Sequence, residues 1–196
     1  GPCPSTYGAD DFCGIINVVT RRVEGRRGVE VAGSLGTNET YDGRLSYATQ
    51  LDGGAQFSVD LSGYTSGGRD RIYYPEFDQR VSDSPAATND GIASHVDGED
   101  SAGLFATFRH GQLEVTGSLA WREKDVPTAS FGTLFNDPGE RTADLRGYVD
   151  VKYNHAVSEQ TQLLSRVYYD VFRYSGDYPY DGEGEGFEDL DRVVLR

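Results

Sequence analysis

The chain has 196 residues, of which 37% are hydrophobic, and a formal net charge of -14. It contains no apolar run of the ~18 residues that a membrane-spanning helix needs, which argues against a helical membrane protein. Its 18 lysines and arginines are scattered among 32 acidic residues, which argues against a nucleic-acid partner, because phosphate binding needs clustered cations. The many glycines and aromatic residues favour β-structure.

The start of the chain has no methionine, no charged opening segment and no apolar one, which favours a sequence that begins inside a longer polypeptide. Two cysteines lie close together here, Cys3 and Cys13. In an oxidising periplasm they could close a short loop as a disulfide. Spacing alone does not establish a bond, and two small buried side chains are the alternative.

Residues 1–22 (GPCPSTYGADDFCGIINVVTRR) are rich in turn residues at first and end in an apolar run typical of a buried strand. The residues that carry a recognisable pattern are Gly1, Pro2, Tyr7, Gly8, Gly14, Ile16, Asn17 and Thr20. This pattern resembles the C-terminal signature of the plug domain of TonB-dependent outer-membrane receptors. The chain departs from the signature at Pro4, Thr6 and Asp11, where that family usually has serine, an apolar residue and alanine.

The resemblance implies a fold and a function. In that family a β-barrel of roughly 22 strands follows the plug directly and closes around it. The expected domains are therefore the end of a plug over residues 1–27 and the first barrel strands over residues 28–196. The expected function is energy-coupled uptake of a scarce nutrient, such as a ferric siderophore or cobalamin, across the bacterial outer membrane. The expected partners are that nutrient, outer-membrane lipid, and TonB, which would bind through a segment preceding Gly1.

Alternation of apolar and polar residues dominates the sequence from about residue 28 onward. In the clearest case, Phe57, Val59 and Leu61 alternate with Ser58 and Asp60. Such a period of two predicts strands with one apolar face. The alternating segments are 29–35, 45–49, 55–63, 102–108, 113–121, 145–153 and 163–171. They predict about seven antiparallel strands, most of them near the ~9–11 residues that a tilted strand needs to cross a bilayer.

The connections between these segments alternate in length. Short turns are predicted at 51–54, 109–111 and 154–159, and long polar loops at 66–100, 123–141 and from 175 onward. Outer-membrane barrels have tight periplasmic turns and long extracellular loops, so this alternation favours a partial transmembrane β-barrel. The strand pattern alone also fits a soluble β-sandwich, whose apolar face would cover a core.

Aromatic and charged residues fall at characteristic places in this pattern. Aromatic residues near strand ends could form girdles at the membrane interfaces, although they also occupy ordinary β-cores: Tyr47, Tyr64, Trp121, Tyr153 and Tyr169. Charged residues on the polar face would point to the barrel lumen and act in plug docking and solvation rather than as substrate ligands. These are Arg44, Asp60, Glu114, Asp144, Arg146, Asp150, Lys152, Arg166 and Asp170.

The long loop after the third predicted strand is the candidate ligand site. It carries cations and aromatic residues: Arg69, Arg71, Tyr73, Tyr74 and Phe77. Such a mixture suits an anionic ligand with aromatic groups, such as a catecholate siderophore complex. Packing against neighbouring loops is the alternative. The stretches 72–78 and 126–138 also resemble loop segments of a subgroup of the receptor family.

The acidic, glycine-rich tail is a candidate calcium site. Asp181, Glu183 and Glu185 have the spacing of the first half of a calcium-binding loop. Arg192 stands where that loop needs a bidentate glutamate, which argues against an EF-hand. A looser extracellular Ca²⁺ site and a solvated surface loop are the two remaining interpretations. Apart from this loop-bound Ca²⁺, no cofactor is expected.

The sequence predicts that the chain is not an enzyme. Its three histidines are His95, in a long loop, and His110 and His155, in turns predicted at the opposite end of the strands. No nucleophile motif and no metal-ligand spacing accompanies them. A passive porin-like channel and a soluble β-rich binding domain are the other hypotheses. A porin has no plug before its first strand, so the N-terminal signature favours the importer.

Overall fold

The computed structural model describes residues 27–180 and 192–195, which are almost entirely strands and connections. The strands are β1 (Gly28–Gly36), β2 (Thr40–Gln50), β3 (Gln56–Ser66), β4 (Arg71–Tyr73), β5 (Ile92–Ser94), β6 (Glu99–His110), β7 (Leu113–Asp125), β8 (Arg141–Ser158), β9 (Thr161–Pro179) and β10 (Arg192–Leu195). One antiparallel sheet has the order β1-β2-β3-β6-β7-β8-β9-β10, and β4 and β5 form a separate hairpin. The expected all-β, antiparallel class is confirmed.

Three predictions fall outside the described residues. They are the plug signature at Gly1, Pro2, Tyr7, Gly8, Gly14, Ile16, Asn17 and Thr20, the cysteine pair Cys3 and Cys13, and the calcium candidates Asp181, Glu183 and Glu185. Within the described residues, no helix is long and apolar enough to cross a membrane.

All the predicted strands form, because period-two alternation matches the pleat of a strand with one apolar face. The last two extend well beyond their apolar segments, and β8 and β9 have 18 and 19 residues. Their ladder runs from the pair Arg141 and Asp177 to the pair Ser158 and Thr161, with an irregularity between Ala156 and Ser158. Pairing with a neighbouring strand therefore continues where hydrophobic alternation has ended.

Two predicted turns are wrong in position. The turn placed at 154–159 is a two-residue turn at 159–160, because β8 continues to Ser158. The turn placed at 109–111 lies at 111–112, where Gly111 has a φ of +56°. His110 and His155, predicted in these turns, are consequently strand residues. The hairpin of β4 and β5 and the short strand β10 were not predicted.

The connections give the sheet two different ends. The turns at 51–55, 111–112 and 159–160 lie at one end, named here the short-turn end. The long connections at 67–98 and 126–140 lie at the other, named the long-connection end, together with the tight hairpin at 37–39. Antiparallel order forces this arrangement, because every second connection must return to the same end. The predicted alternation of short and long connections is confirmed between residues 51 and 160. The third predicted long loop, from 175 onward, is wrong up to Pro179, where β9 ends, because strand pairing continues there. Beyond residue 180 that loop lies outside the described residues until β10.

The sheet has open edges within the described part of the chain. β1 pairs with β2 only, and β10 covers β9 only from Gly176 to Pro179. Residues 161–175 of β9 therefore have no described strand on their outer side. Unpaired backbone groups along such a long edge are a strong template for a further strand.

Candidate functional site

One face of the sheet is apolar across seven strands and is called the apolar face here. Cross-strand pairing aligns Leu45 with Leu61, Leu61 with Leu104, and Leu104 with Leu119 in one row. Val31 pairs with Leu45 and belongs to the same row. Neighbouring rows hold Val29, Tyr47, Phe57, Val59, Phe108, Leu113, Val115, Trp121, Leu145, Val149, Val151, Tyr153, Val167 and Tyr169. Many of these side chains are exposed, with Val167 at 72% and Val31 at 75%. Soluble monomers rarely expose contiguous apolar surface on this scale.

The opposite face, called the polar face, carries charges in register. All the residues predicted to face a lumen lie on it: Arg44, Asp60, Glu114, Asp144, Arg146, Asp150, Lys152, Arg166 and Asp170. Burial is inverted on β2, β6 and β8, since Ser46, Thr107 and Asp150 on the polar face are buried, whereas Tyr168 and Phe172 on the polar face of the edge strand β9 are exposed. The sheet therefore exposes its apolar face, whereas a β-sandwich buries the apolar face of each sheet.

Near the short-turn end, charged side chains on the polar face form a continuous ladder across β6, β7, β8 and β9. Arg109 Nε lies 2.8 Å from Glu114, and Lys152 Nζ lies 3.9 Å from the same carboxylate. Lys152 also lies 3.2 Å from Asp150, which accepts a hydrogen bond of 2.9 Å from Arg166 Nε. Asp150 is the most buried member and joins two cations. Such a network of ion pairs fixes the side chains of the polar face without packing against an apolar layer.

The aromatic girdle expected from five residues stays a prediction. Four of the five lie on the apolar face, but Tyr47 and Tyr169 share its central row with Val149, and only Trp121 and Tyr153 lie toward its ends. Tyr64 pairs with Asp42 and Ser101 and lies on the polar face, because it follows Gly63 by one residue and successive side chains alternate. Tyr41, on the apolar face at the long-connection end, is an aromatic residue that sequence reasoning missed.

The two long connections pack on each other and form a loop cap, defined by residues 67–98 and 126–140. Its buried apolar residues are Ala93, Val96 and Phe135. Phe77 stacks on Phe135 with ring centroids 4.5 Å apart, and Tyr74 meets both rings edge-on. The cap is also tied to β9, since the Leu134 N–H donates 2.9 Å to the carbonyl of Pro179.

A buried carboxylate, Asp78, organises the first half of the cap. The Arg80 side chain donates to both of its oxygens, from Nε at 2.8 Å and Nη2 at 2.7 Å, and the Arg80 N–H adds a third bond at 2.9 Å. The Tyr73 hydroxyl donates a fourth, at 2.9 Å. These hydrogen bonds, led by those from Arg80, hold the pKa of Asp78 well below its usual range. Asp78 is thus an ionised anchor for the loop.

A second buried carboxylate, Glu140, lies where the cap joins β8. Its side chain is 1% exposed, and Oε2 accepts a hydrogen bond of 2.8 Å from the Thr133 hydroxyl. Oε1 has no hydrogen-bond partner among the described residues. Burial raises the pKa of Glu140 to about 7, and the Thr133 hydrogen bond opposes this shift. Glu140 therefore exchanges its proton near neutral pH.

The predicted ligand residues are placed in different surroundings. Arg69 and Arg71 are exposed, and the Arg69 N–H donates to Asp97 at 3.0 Å. Tyr73 uses its hydroxyl on Asp78. Tyr74 and Phe77 pack on the core of the cap. Packing between loops, the alternative weighed above, accounts for Tyr74 and Phe77, while contact of the set with a ligand stays a prediction.

A polar cleft of about 430 Å³ opens between the loop cap and the strand ends. Carboxylates dominate its lining: Glu39, Asp70, Glu99, Asp100, Glu123 and Asp125. Arg141 lies 2.8 Å from Asp125 and 3.0 Å from Glu123. In the part of the chain that the structure describes, no group of three or more histidine, cysteine or acidic side chains is arranged to hold a metal ion.

Sequence reasoning missed the two buried carboxylates. Asp78 and Arg80 are two residues apart in a polar loop and look like an ordinary solvated pair. Burial of Glu140 depends on contacts within the folded cap, which no local pattern reports. His95 does lie at the long-connection end, while His110 and His155 lie near the short-turn end, as the predicted topology requires.

Comparison of the chain with protein-family models, with curated proteins and with solved structures found no match.

Proposed function

We propose that this chain is part of a TonB-dependent outer-membrane receptor that imports a scarce nutrient. Residues 28–196 would supply the first strands of a transmembrane β-barrel, and residues 1–27 the end of its plug. The apolar face would contact lipid, and the polar face would line the lumen. The observation that carries the proposal is the exposed apolar face, which is continuous across seven strands.

The height of the apolar face agrees with a bilayer. On β7, apolar-face positions run from Leu113 to Trp121, which is about 26 Å along the strand at ~3.3 Å per residue. A tilt of about 40° reduces this height to about 20 Å, comparable with the roughly 25 Å apolar band of outer-membrane barrels. A soluble sandwich would instead need a second layer over this face, and the described residues contain none.

The connections support an orientation. The short-turn end would face the periplasm, and the long-connection end, with the loop cap and the acidic cleft, would face the outside. The charge ladder of Arg109, Glu114, Lys152, Asp150 and Arg166 would then lie in the lumen near the periplasmic side. Charges there are satisfied by one another, by water and by a plug, which lipid could not do.

The open edges support a larger barrel. A sheet in lipid must satisfy every backbone N–H and C=O, so the outer sides of β1 and β9 would need further strands. Energy coupling rests on the plug signature at residues 1–22, which a passive porin-like channel would lack. The nutrient, with a ferric siderophore as the leading class, and TonB are the proposed partners.

Membrane insertion can be tested with two neighbouring positions on β8. With Cys3, Cys13 and any other cysteine replaced by alanine, Val149→Cys or Tyr148→Cys would carry an environment-sensitive fluorophore. The protein used is the full receptor that contains this chain, reconstituted in phosphatidylcholine vesicles. We expect blue-shifted emission and quenching by nitroxide lipids at position 149, on the apolar face. Position 148, on the polar face, should show neither effect. Equal, unquenched emission at both positions would indicate a soluble domain.

Energy coupling needs a separate test in cells. Uptake of a ferric catecholate complex would be compared in strains with and without TonB, each expressing the receptor gene that contains this chain. The importer predicts uptake that requires both the receptor and TonB. Uptake that needs the receptor but continues without TonB would identify a passive channel instead.

A further inference from the structure

One charged residue, Arg173, lies in the last row of the apolar face toward the long-connection end, next to a row that carries Asp100 and Glu123. It follows Val171 in the alternation on β9 and pairs with Leu145, which pairs in turn with Trp121 on β7. The same row continues through Ala102, Gly63 and Gly43 on β6, β3 and β2, so every other member is uncharged. Arg173 is exposed and makes no salt bridge within the described residues. An unpaired guanidinium beside an apolar surface is costly unless an anion lies at the same height.

A groove connects Arg173 to the single tryptophan of the chain. The groove has a volume of about 620 Å³ and is lined on the apolar face by Trp121, Ala143, Leu145, Arg173 and Ser175. The intervening strand residues Asp144, Phe172 and Tyr174 complete its lining. Trp121 and Arg173 are separated by one strand, which is about 10 Å at ~4.8 Å between neighbouring strands. The small side chains of Ala143 and Ser175 leave space in the next row toward the long-connection end, where Glu123 of β7 pairs with Ala143.

The residues around the groove suit an amphiphile with an anionic head. Below Arg173, Val171 and Leu119 continue the apolar surface on which an acyl chain could lie. Tryptophan prefers the boundary between hydrocarbon and headgroups, so Trp121 marks that level. Guanidinium groups bind phosphate through paired N–H donors. A zwitterionic headgroup binds a guanidinium less well, because the ammonium of that headgroup competes for its phosphate.

We propose that the groove between Trp121 and Arg173 binds the phosphate headgroup of an anionic membrane lipid. Arg173 would hold the phosphate, and the groove over Leu145 would receive the start of the acyl chain. The site rests on the proposed function, because it requires the apolar face to contact lipid. It assigns to this face a selectivity for lipid charge in addition to its hydrophobicity.

Trp121 makes the site directly measurable, because its fluorescence is the only tryptophan emission of the chain. The full receptor that contains this chain would be reconstituted in vesicles of phosphatidylcholine mixed with phosphatidylglycerol, with bromine-labelled acyl chains on one lipid at a time. Any tryptophan in a flanking segment would be replaced by phenylalanine. We expect brominated phosphatidylglycerol to quench Trp121 with an apparent affinity about five-fold above that of brominated phosphatidylcholine, the effect of one cation near anionic lipid.

Variants on adjacent strands separate the site from overall charge. Arg173→Gln should reduce the preference to about one-fold, and Arg173→Lys should retain part of it. Arg146→Gln is the matched control, because Arg146 makes the same charge change on the polar face, next to Leu145. Far-ultraviolet circular dichroism would verify that each variant keeps its sheet.

The possible outcomes distinguish the site from the proposed function. Equal quenching by both lipids, or an equal loss of preference in the Arg146 variant, would overturn the lipid site and leave the membrane assignment intact. Absence of quenching by either lipid would place Trp121 outside the bilayer and count against the proposed function itself. Preference lost in the Arg173→Gln variant alone would support the site.

Discussion

The Thr133 hydroxyl donates a hydrogen bond of 2.8 Å to Glu140, a carboxyl group that is otherwise enclosed by the loop cap. Burial raises the pKa of Glu140 to about 7, from an ordinary value of 4.5. Between these two values an unfolded cap has lost the proton while the folded cap retains it. The contribution of Glu140 to the stability of the cap is therefore most favourable below pH 4.5, becomes less favourable as pH rises toward 7, and is constant at higher pH.

The first prediction is that Glu140→Gln removes this pH dependence. Glutamine keeps an acceptor for Thr133 and carries no charge, so the cap should be more stable than the native cap at pH 8 by up to about 3 kcal/mol. Hydrogen exchange of cap amides at pH 5.5 and pH 8, corrected for intrinsic rates, measures the effect. Glu76→Gln, at an exposed position in the other connection, is the control and should leave the native dependence unchanged.

The second prediction concerns the aromatic core of the cap. Phe135→Ala removes the ring that stacks on Phe77 and should destabilise the cap by about 3–4 kcal/mol. Limited proteolysis of the 67–98 connection would report this as faster cleavage. Phe131→Ala is the matched control in the same connection, because Phe131 is 83% exposed, and it should cost less than about 1 kcal/mol. Equal protease resistance of the Phe135 variant and the native chain would contradict the packing described here.

The third prediction concerns the charge ladder. Asp150→Asn removes the carboxylate between Lys152 and Arg166 and should lower the free energy of unfolding by about 2 kcal/mol, since buried hydrogen bonds to charged groups are lost. Urea unfolding in lipid vesicles measures the change. Asp170 is an exposed carboxylate on the polar face of β9, so Asp170→Asn should change the free energy of unfolding by less than about 0.5 kcal/mol. A ladder that contributes only solvation would give equal effects for the two variants.

The fourth prediction separates the two faces. Val149 is in the central row of the apolar face on β8, so Val149→Lys should lower the stability of the membrane-inserted sheet by about 2–4 kcal/mol. Tyr148→Lys places the same charge on the adjacent residue of the polar face and should be tolerated. The fraction of polypeptide inserted in vesicles, measured by protection from protease, compares them. Similar insertion of both variants would argue against lipid contact at position 149.

The sequence predicted the strands well because alternation is a local property. Apolar residues such as Val59 and Val149 recur at every second position and so indicate which side of their strand is apolar. Pairing between strands then places these apolar sides on one face of the sheet. The extent of β8 and β9 was not visible, because their outer parts are held by pairing rather than by apolar alternation. Tyr64 was assigned to the wrong group because proximity to a strand end was considered without its phase.

The loop cap was largely beyond prediction. Phe77 and Phe135 are in separate connections, and nothing in either segment indicates that their rings stack. The loop hairpin of β4 and β5 has strands of only three residues, too short for an alternation signal. Arg173, by contrast, was accessible to sequence reasoning, since it continues the series of Val167, Tyr169 and Val171 at alternate positions.

The inverted burial of the sheet has a consequence for reading mutations in this chain. Substitution scores derived from water-soluble proteins treat exposed positions as tolerant of polar residues. They would therefore predict that polar substitutions at Val31 or Val167 are tolerated. On the proposed membrane-facing surface these positions are the restricted ones, whereas Ser46 and Thr107, although buried, already belong to a polar environment. In saturation mutagenesis, tolerance of polar substitutions should accordingly alternate from residue to residue along each strand. It should be low at the exposed apolar positions, which are the positions where a water-soluble sheet would tolerate polar residues.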